Sequence, residues 1–265
     1  MSTDPIKVYD DVLVPRLLEP WVAALLDRLA LARNEALIDV ATGPGTVTRA
    51  AAERVGPGGA VTGCDVSAEM LAVAADKPLP AGSAAIEYEV CSAETLTAAD
   101  RSFDVLTCQQ GLQFFPDRAG ALAEMHRVLR PGGRLGLAVW CDVDQSPPFA
   151  AVATAVDRVL GAGAGVAYRG GPWGLADPEL LVALVRGAGF RSVRVEREVV
   201  PVVFERGASQ LLSTLVCTPV AAQIAELDSR NRRRLYDQCR RALRPFTVDG
   251  AVVSETASHI VTARK

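Results

Sequence analysis

The residues that most constrain this chain are Leu37-Ile38-Asp39-Val40-Ala41-Thr42-Gly43-Pro44-Gly45-Thr46. Apolar and β-branched residues around Asp39 read as a buried strand, which runs straight into a glycine-bearing turn and then an Ala-rich helical segment. Glycine lets backbone approach a ligand with no Cβ in the way. Twenty residues beyond Gly45 (65 − 45) the run Ala60-Val61-Thr62-Gly63-Cys64 ends in Asp65. A carboxylate at the tip of a second parallel strand can accept both hydroxyls of a ribose. The two segments therefore predict a nucleoside-cofactor pocket at the carboxyl ends of the strands.

A lone G-x-G does not separate a nicotinamide dinucleotide from S-adenosylmethionine. The dinucleotide fingerprint wants a third Gly or Ala three residues after the second, where the helix presses on the strand. Thr48 stands there, and Pro44 lies between the two glycines. Later segments decide. Cys91-Ser92-Ala93-Glu94 follows a strand-like run at 85–90. Phe103-Asp104-Val105-Leu106-Thr107-Cys108 leads into Gln109-Gln110-Gly111-Leu112-Gln113-Phe114-Phe115-Pro116-Asp117. A helical run at 119–129 stops at Arg130-Pro131-Gly132-Gly133, and a strand resumes at 134–140. This series resembles the class I S-adenosylmethionine-dependent methyltransferases, in particular the ubiquinone/menaquinone-biosynthesis-like branch of small-molecule enzymes. The likeness is specific over about residues 35–141 and weak beyond.

The resemblance implies a Rossmann-like α/β fold: a seven-stranded, mostly parallel sheet with helices on both faces, an antiparallel last strand and a helical cap over the substrate pocket. It implies S-adenosylmethionine as cofactor. Carried onto this sequence, Asp39 orders the ligand beneath the loop, Gly43 and Gly45 give clearance, and Asp65 accepts the ribose. Ala41, Val66 and Met70 complete that side. Ser92 and Ala93 hold the adenine edge, although the family more often has Asp at the first position. Gln109 and Gln110 face the methionine moiety or the substrate, and Tyr9 covers the sulfonium end. Each has a plainer reading: Asp39 as a polar strand end, the glycines as turn residues, the glutamines as surface amides, Tyr9 as a helix-boundary residue. A charge inside an apolar strand needs a partner, which favours function at Asp39.

Trp140, Phe149, Tyr168 and Trp173 line an aromatic acceptor pocket or fill a core, and the sequence leaves both readings open. His126 and His259 read as packing residues. No catalytic base stands out; Asp142, Asp144 and Tyr168 are candidates by location alone. The run Arg230-Asn231-Arg232-Arg233-Arg234 reads as a solvated helix face, because acidic residues interrupt it and the net charge is −3.

That charge argues against a dedicated nucleic-acid binder. The first five residues are polar, unlike a signal peptide. The apolar stretch at 12–31 is interrupted by Arg16, Glu19, Asp27 and Arg28, so it reads as an amphipathic helix at about 17–31, not a membrane span. Six scattered cysteines and two histidines offer no zinc spacing. The expectation is thus a cytoplasmic enzyme with reduced thiols, no metal, no nucleic-acid or membrane partner and a small hydrophobic or aromatic acceptor, natural-product or quinone-like; a homodimer is left open. Residues 1–34 form an N-terminal helical lid, and 35–265 the catalytic domain with cap insertions at about 145–180 and 205–245. Two other readings stay open: a cyclase or other non-methylating enzyme using the cofactor electrostatically, and, less well supported, an RNA methyltransferase.

Overall fold

Alternation of strand and helix dominates the computed structural model, which describes residues 4–161 and 163–265. The polar start at residues 1–3 and Ala162 of the glycine-rich loop lie outside the described residues. In chain order the first elements are α1 (Pro5–Val8), a π-helical stretch (Tyr9–Leu18), α2 (Glu19–Leu29), β1 (Ala36–Val40), α3 (Thr46–Val55) and β2 (Ala60–Asp65). Then come α4 (Ala68–Asp76), β3 (Ala85–Val90), β4 (Phe103–Gln109), α5 (Arg118–Val128) and β5 (Leu129–Trp140). The remainder holds α6 (Pro147–Leu160), α7 (Ala164–Gly170), α8 (Pro178–Gly187), β6 (Arg191–Phe204), α9 (Ala208–Ser213), α10 (Ala221–Ala225), α11 (Ser229–Leu243), β7 (Thr247–Val248) and β8 (Ala251–Arg264).

The chain forms two units. The larger comprises Leu18–Val139, Asp177–Glu198 and His259–Lys265. Among the described residues the sheet has eight strands in the order β3-β2-β1-β4-β5-β8-β6, with β7 paired to β8. β1, β2, β3, β4 and β5 pair in parallel. β8 is antiparallel to β5: Gly132 and Gly133 exchange backbone bonds with Lys265, and the Cys141 amide donates to Ala257. The predicted topology holds, and the extra strand is the two-residue β7. The Pro131-Gly132-Gly133 turn survives as an excursion within β5, for the ladder shifts between Phe103↔Leu129 and Val105↔Arg134. Leu26, Leu29, Leu37, Val47, Ala51, Val61 and Val105 pack into the core beneath β1 and α3. Among the described residues no helix is long and apolar enough to cross a membrane.

The second unit comprises residues 4–17, Trp140–Ala176 and Val199–Ser258. Its helices bury Phe149, Val152, Val156, Tyr168, Leu211, Leu235 and Cys239. The Gly165 amide donates to Asp157 at 2.7 Å and Arg169 pairs with the same carboxylate, organising α7. The helix expected at 17–31 is α2, preceded by helical chain that reaches back to Pro5. Pro15 lies inside the π-helical stretch, where its missing N–H is absorbed by wider winding.

Candidate cofactor site

β1 lies between β2 and β4, so strand order reverses beside it and a crevice opens at the carboxyl ends. Asp39 is buried in β1, and its Oδ1 accepts from the Thr107 hydroxyl of β4 at 2.7 Å. Burial pushes this carboxyl up to about 7, against the opposing pull of the Thr107 and Thr42 hydroxyls. The loop beyond it is tight. Ala41 has φ +58, and a Cβ on Gly45 would meet the Tyr88 hydroxyl at 2.7 Å. Thr48, where the dinucleotide fingerprint has its third small residue, is fully buried and shares a 3.2 Å hydrogen bond with Thr42. Its hydroxyl occupies the space beneath the loop.

Asp65 ends β2 with both oxygens anchored. Oδ2 accepts the Gly43 amide and Oδ1 the Ser67 amide, each at 2.9 Å. The glycine turn and the carboxylate thus form one preorganised unit, and each oxygen retains acceptor capacity for a diol. Val66 beside it is 70% exposed, an apolar surface at the same strand end. Ser67 caps α4 through the Met70 amide. Ala93 is buried after β3. The Ser92 hydroxyl donates to Glu94, so it is already committed. Glu94 was not singled out in the sequence, yet its Oε1 is buried without a partner.

At the end of β4 the Gln109 amide nitrogen donates to the Leu18 carbonyl, tying the strand to the start of α2. Gln110 adopts φ +56 and accepts the Gln113 amide nitrogen at 3.2 Å. Four oxygens at the ends of β1, β3 and β4 are buried with no hydrogen-bond partner: Asp39 Oδ2, Glu94 Oε1, Gln109 Oε1 and Gln113 Oε1. All are acceptors, two of them on carboxyl groups. A ligand rich in N–H and O–H donors and bearing positive charge satisfies such a site. S-adenosylmethionine has that chemistry, and the residues present fit it. Among the described residues no cluster of three or more His, Cys, Asp or Glu could hold a metal.

Tyr9 belongs to the second unit, as do all four aromatic candidates. Phe149–Trp173, Tyr168–Trp173 and Phe149–Phe204 ring centroids lie 5.7, 5.5 and 6.3 Å apart. Asp142 is occupied locally, accepting the Asp144 amide at 2.9 Å, and burial raises the Tyr168 hydroxyl well above its usual value. His126 stacks edge-on against Phe190 at 5.0 Å, a packing role.

Sheet order, glycine turn and anchored carboxylate place the protein among Rossmann-like nucleoside-cofactor enzymes. Solved structures share this fold. A phosphoethanolamine N-methyltransferase 2 from Haemonchus contortus, in complex with S-adenosyl-L-methionine, gives a TM-score of 0.61 at 19% identity over 100% of this chain and 57% of its own. A SAM-dependent methyltransferase from Aquifex aeolicus gives 0.53 at 22% identity over 76% and 93%. The model of the ubiE/COQ5 methyltransferase family matches residues 6–147, more than half of the chain, and the chain belongs to that family. A ubiquinone/menaquinone biosynthesis C-methyltransferase of Bordetella avium is 37% identical over 128 residues, 48% of this chain and 50% of that protein. The chain spans about half the length of the curated relatives it matches.

Proposed function

We propose that this enzyme methylates a ring carbon of a small, hydrophobic, quinone-like aromatic acceptor. The observation that carries the reading is the set of unpartnered buried acceptors around the anchored Asp65, matched to a cationic, donor-rich cofactor. The carbon as target comes from the C-methyltransferases that the chain resembles.

S-adenosylmethionine supplies a methyl group already activated as a sulfonium, so the protein's task is to align the acceptor about 3 Å from that carbon. Asp65 receives the ribose hydroxyls on oxygens that Gly43 and Ser67 hold still. Glu94 accepts the adenine amine in place of Ser92. Asp39 balances the positive charge of the methionine end. A carbon nucleophile on an electron-rich ring needs little help from a base, and this reading assigns none.

The test is to incubate the protein with methyl-labelled S-adenosylmethionine and short-chain benzoquinols and naphthoquinols, and to locate the label by mass spectrometry. Label on a ring carbon supports the reading, and label on oxygen or nitrogen overturns it. Calorimetry on Glu94→Gln checks the cofactor half, with an expected loss of about 1–3 kcal/mol in binding.

A further inference from the structure

Gln113 Oε1 is one of the four unpartnered acceptors, yet it is the neutral one to which no particular cofactor group falls, and it carries the features of a recognition group. It sits on a single 3-10 turn, Leu112–Phe114, just beyond β4, and is 3% exposed. Its main-chain carbonyl accepts from Arg118 at 2.8 Å. Its side-chain nitrogen is held by Gln110 Oε1 at 3.2 Å, which fixes the orientation of the amide. That leaves Oε1 buried with no donor. A buried amide oxygen without a partner is unfavourable by roughly 1–3 kcal/mol, so such a group persists where a ligand completes it.

The backbone leading to it is built for the purpose. Gln110 is held in the left-handed region, φ +56, a conformation that glutamine adopts at a cost. Gly111 follows with no room for a side chain, since a Cβ there would lie 2.7 Å from the Ala41 Cβ and 2.8 Å from Cys108 Sγ. These two residues reverse the chain so that Gln113 returns to pair with Gln110.

The choice of ligand group follows from charge. The cationic and amine donors of the cofactor are matched by the carboxyl groups of Asp39 and Glu94, and the ribose by Asp65. A neutral amide oxygen in the same wall matches a neutral donor. We infer that Gln113 Oε1 accepts a hydrogen bond from a ring hydroxyl of the methyl acceptor and selects hydroxylated rings over analogues that lack that donor. This rests on the proposed methyl transfer to an aromatic acceptor.

The experiment compares wild type, Gln113→Leu and Gln113→Glu. S-adenosylmethionine affinity is measured by calorimetry, and kcat/KM with a paired set of probes: a naphthoquinol and its monomethyl ethers. For wild type, blocking the recognised hydroxyl should lower kcat/KM by tenfold or more. In Gln113→Leu that discrimination should collapse to near unity, through a loss confined to the free quinol, with cofactor affinity within twofold of wild type. Gln113→Glu retains an acceptor oxygen and should retain discrimination. Unchanged discrimination in Gln113→Leu, or a cofactor affinity lost in parallel, overturns the assignment and places Gln113 at the cofactor or in the fold alone. No turnover of any probe by wild type, with cofactor bound normally, would instead refute the proposed acceptor class.

Discussion

Ala41 is an alanine in a backbone conformation that glycine prefers, and its Cβ is the nearest obstacle above Gly111. The two positions are coupled: the strain at one is accepted because the other has no side chain. Ala41→Gly should raise stability by up to about 1 kcal/mol, by relieving the left-handed strain. Gly111→Ala should lower it by about 1–3 kcal/mol through overpacking. Denaturant melts of the double variant should show partial rescue, because Cys108 Sγ still crowds residue 111. Additive effects would show the contact to be relaxed elsewhere. Asp39 gives a second residue-scale prediction. Its folded pKa, about 7, lies above the unfolded value near 3.8. Between those values the folded state holds a proton that the unfolded chain has released, so stability falls as pH rises from about 4 to 7 and then levels off. Asp39→Asn should flatten this slope, which is at most about 1.4 kcal/mol per pH unit, and be the more stable protein at pH 8. Parallel pH profiles for the two proteins would remove Asp39 as the source.

Among the elements, α11 is the least well matched to its own electrostatics. Arg230, Arg233 and Arg234 sit in its first two turns, exposed, although a helix amino terminus favours negative charge. Arg230 and Arg234 are also like charges at i, i+4. Arg230→Glu corrects both and should raise stability by about 0.5–1 kcal/mol at low salt, with the gain shrinking in high salt. A salt-independent change would mean the effect is not electrostatic. This helix was legible in the sequence, as was each βα unit up to β5, because apolar periodicity is a local signal. Helix α7 was not, because glycines on both sides of it read as loop and the Asp157 side chain that organises it is in another helix. The π-helical stretch was hidden by Pro15, which reads as a breaker. In the site, Asp65 and the glycine turn announced themselves by spacing. Glu94 and Gln113 did not, since only the folded structure shows which side-chain oxygens are left without a donor.

On the scale of the whole molecule, Lys265 closes the larger unit. Its main chain pairs with the Gly132-Gly133 turn, and its ammonium donates to the His126 and Arg127 carbonyls at 2.6 and 3.2 Å. Those carbonyls end α5, so a residue 138 positions away in sequence caps that helix. Lys265→Met should lower stability by about 1–2 kcal/mol, a fall of a few degrees in melting temperature. Amide exchange should speed up in the last turn of α5 before it does in β1. Uniform acceleration through the unit would mean that the cap is not local.

The same tie has a consequence for synthesis. A ribosome makes residues 18–139 early, including the strands that form the cofactor crevice, but β8 and Lys265 only after the 140–250 stretch has been made. Until then β5 has a bare edge, exposed to pairing with other chains. Folding of the larger unit is therefore held back until after translation has passed through the whole second unit, and the nascent crevice is a natural client for chaperones.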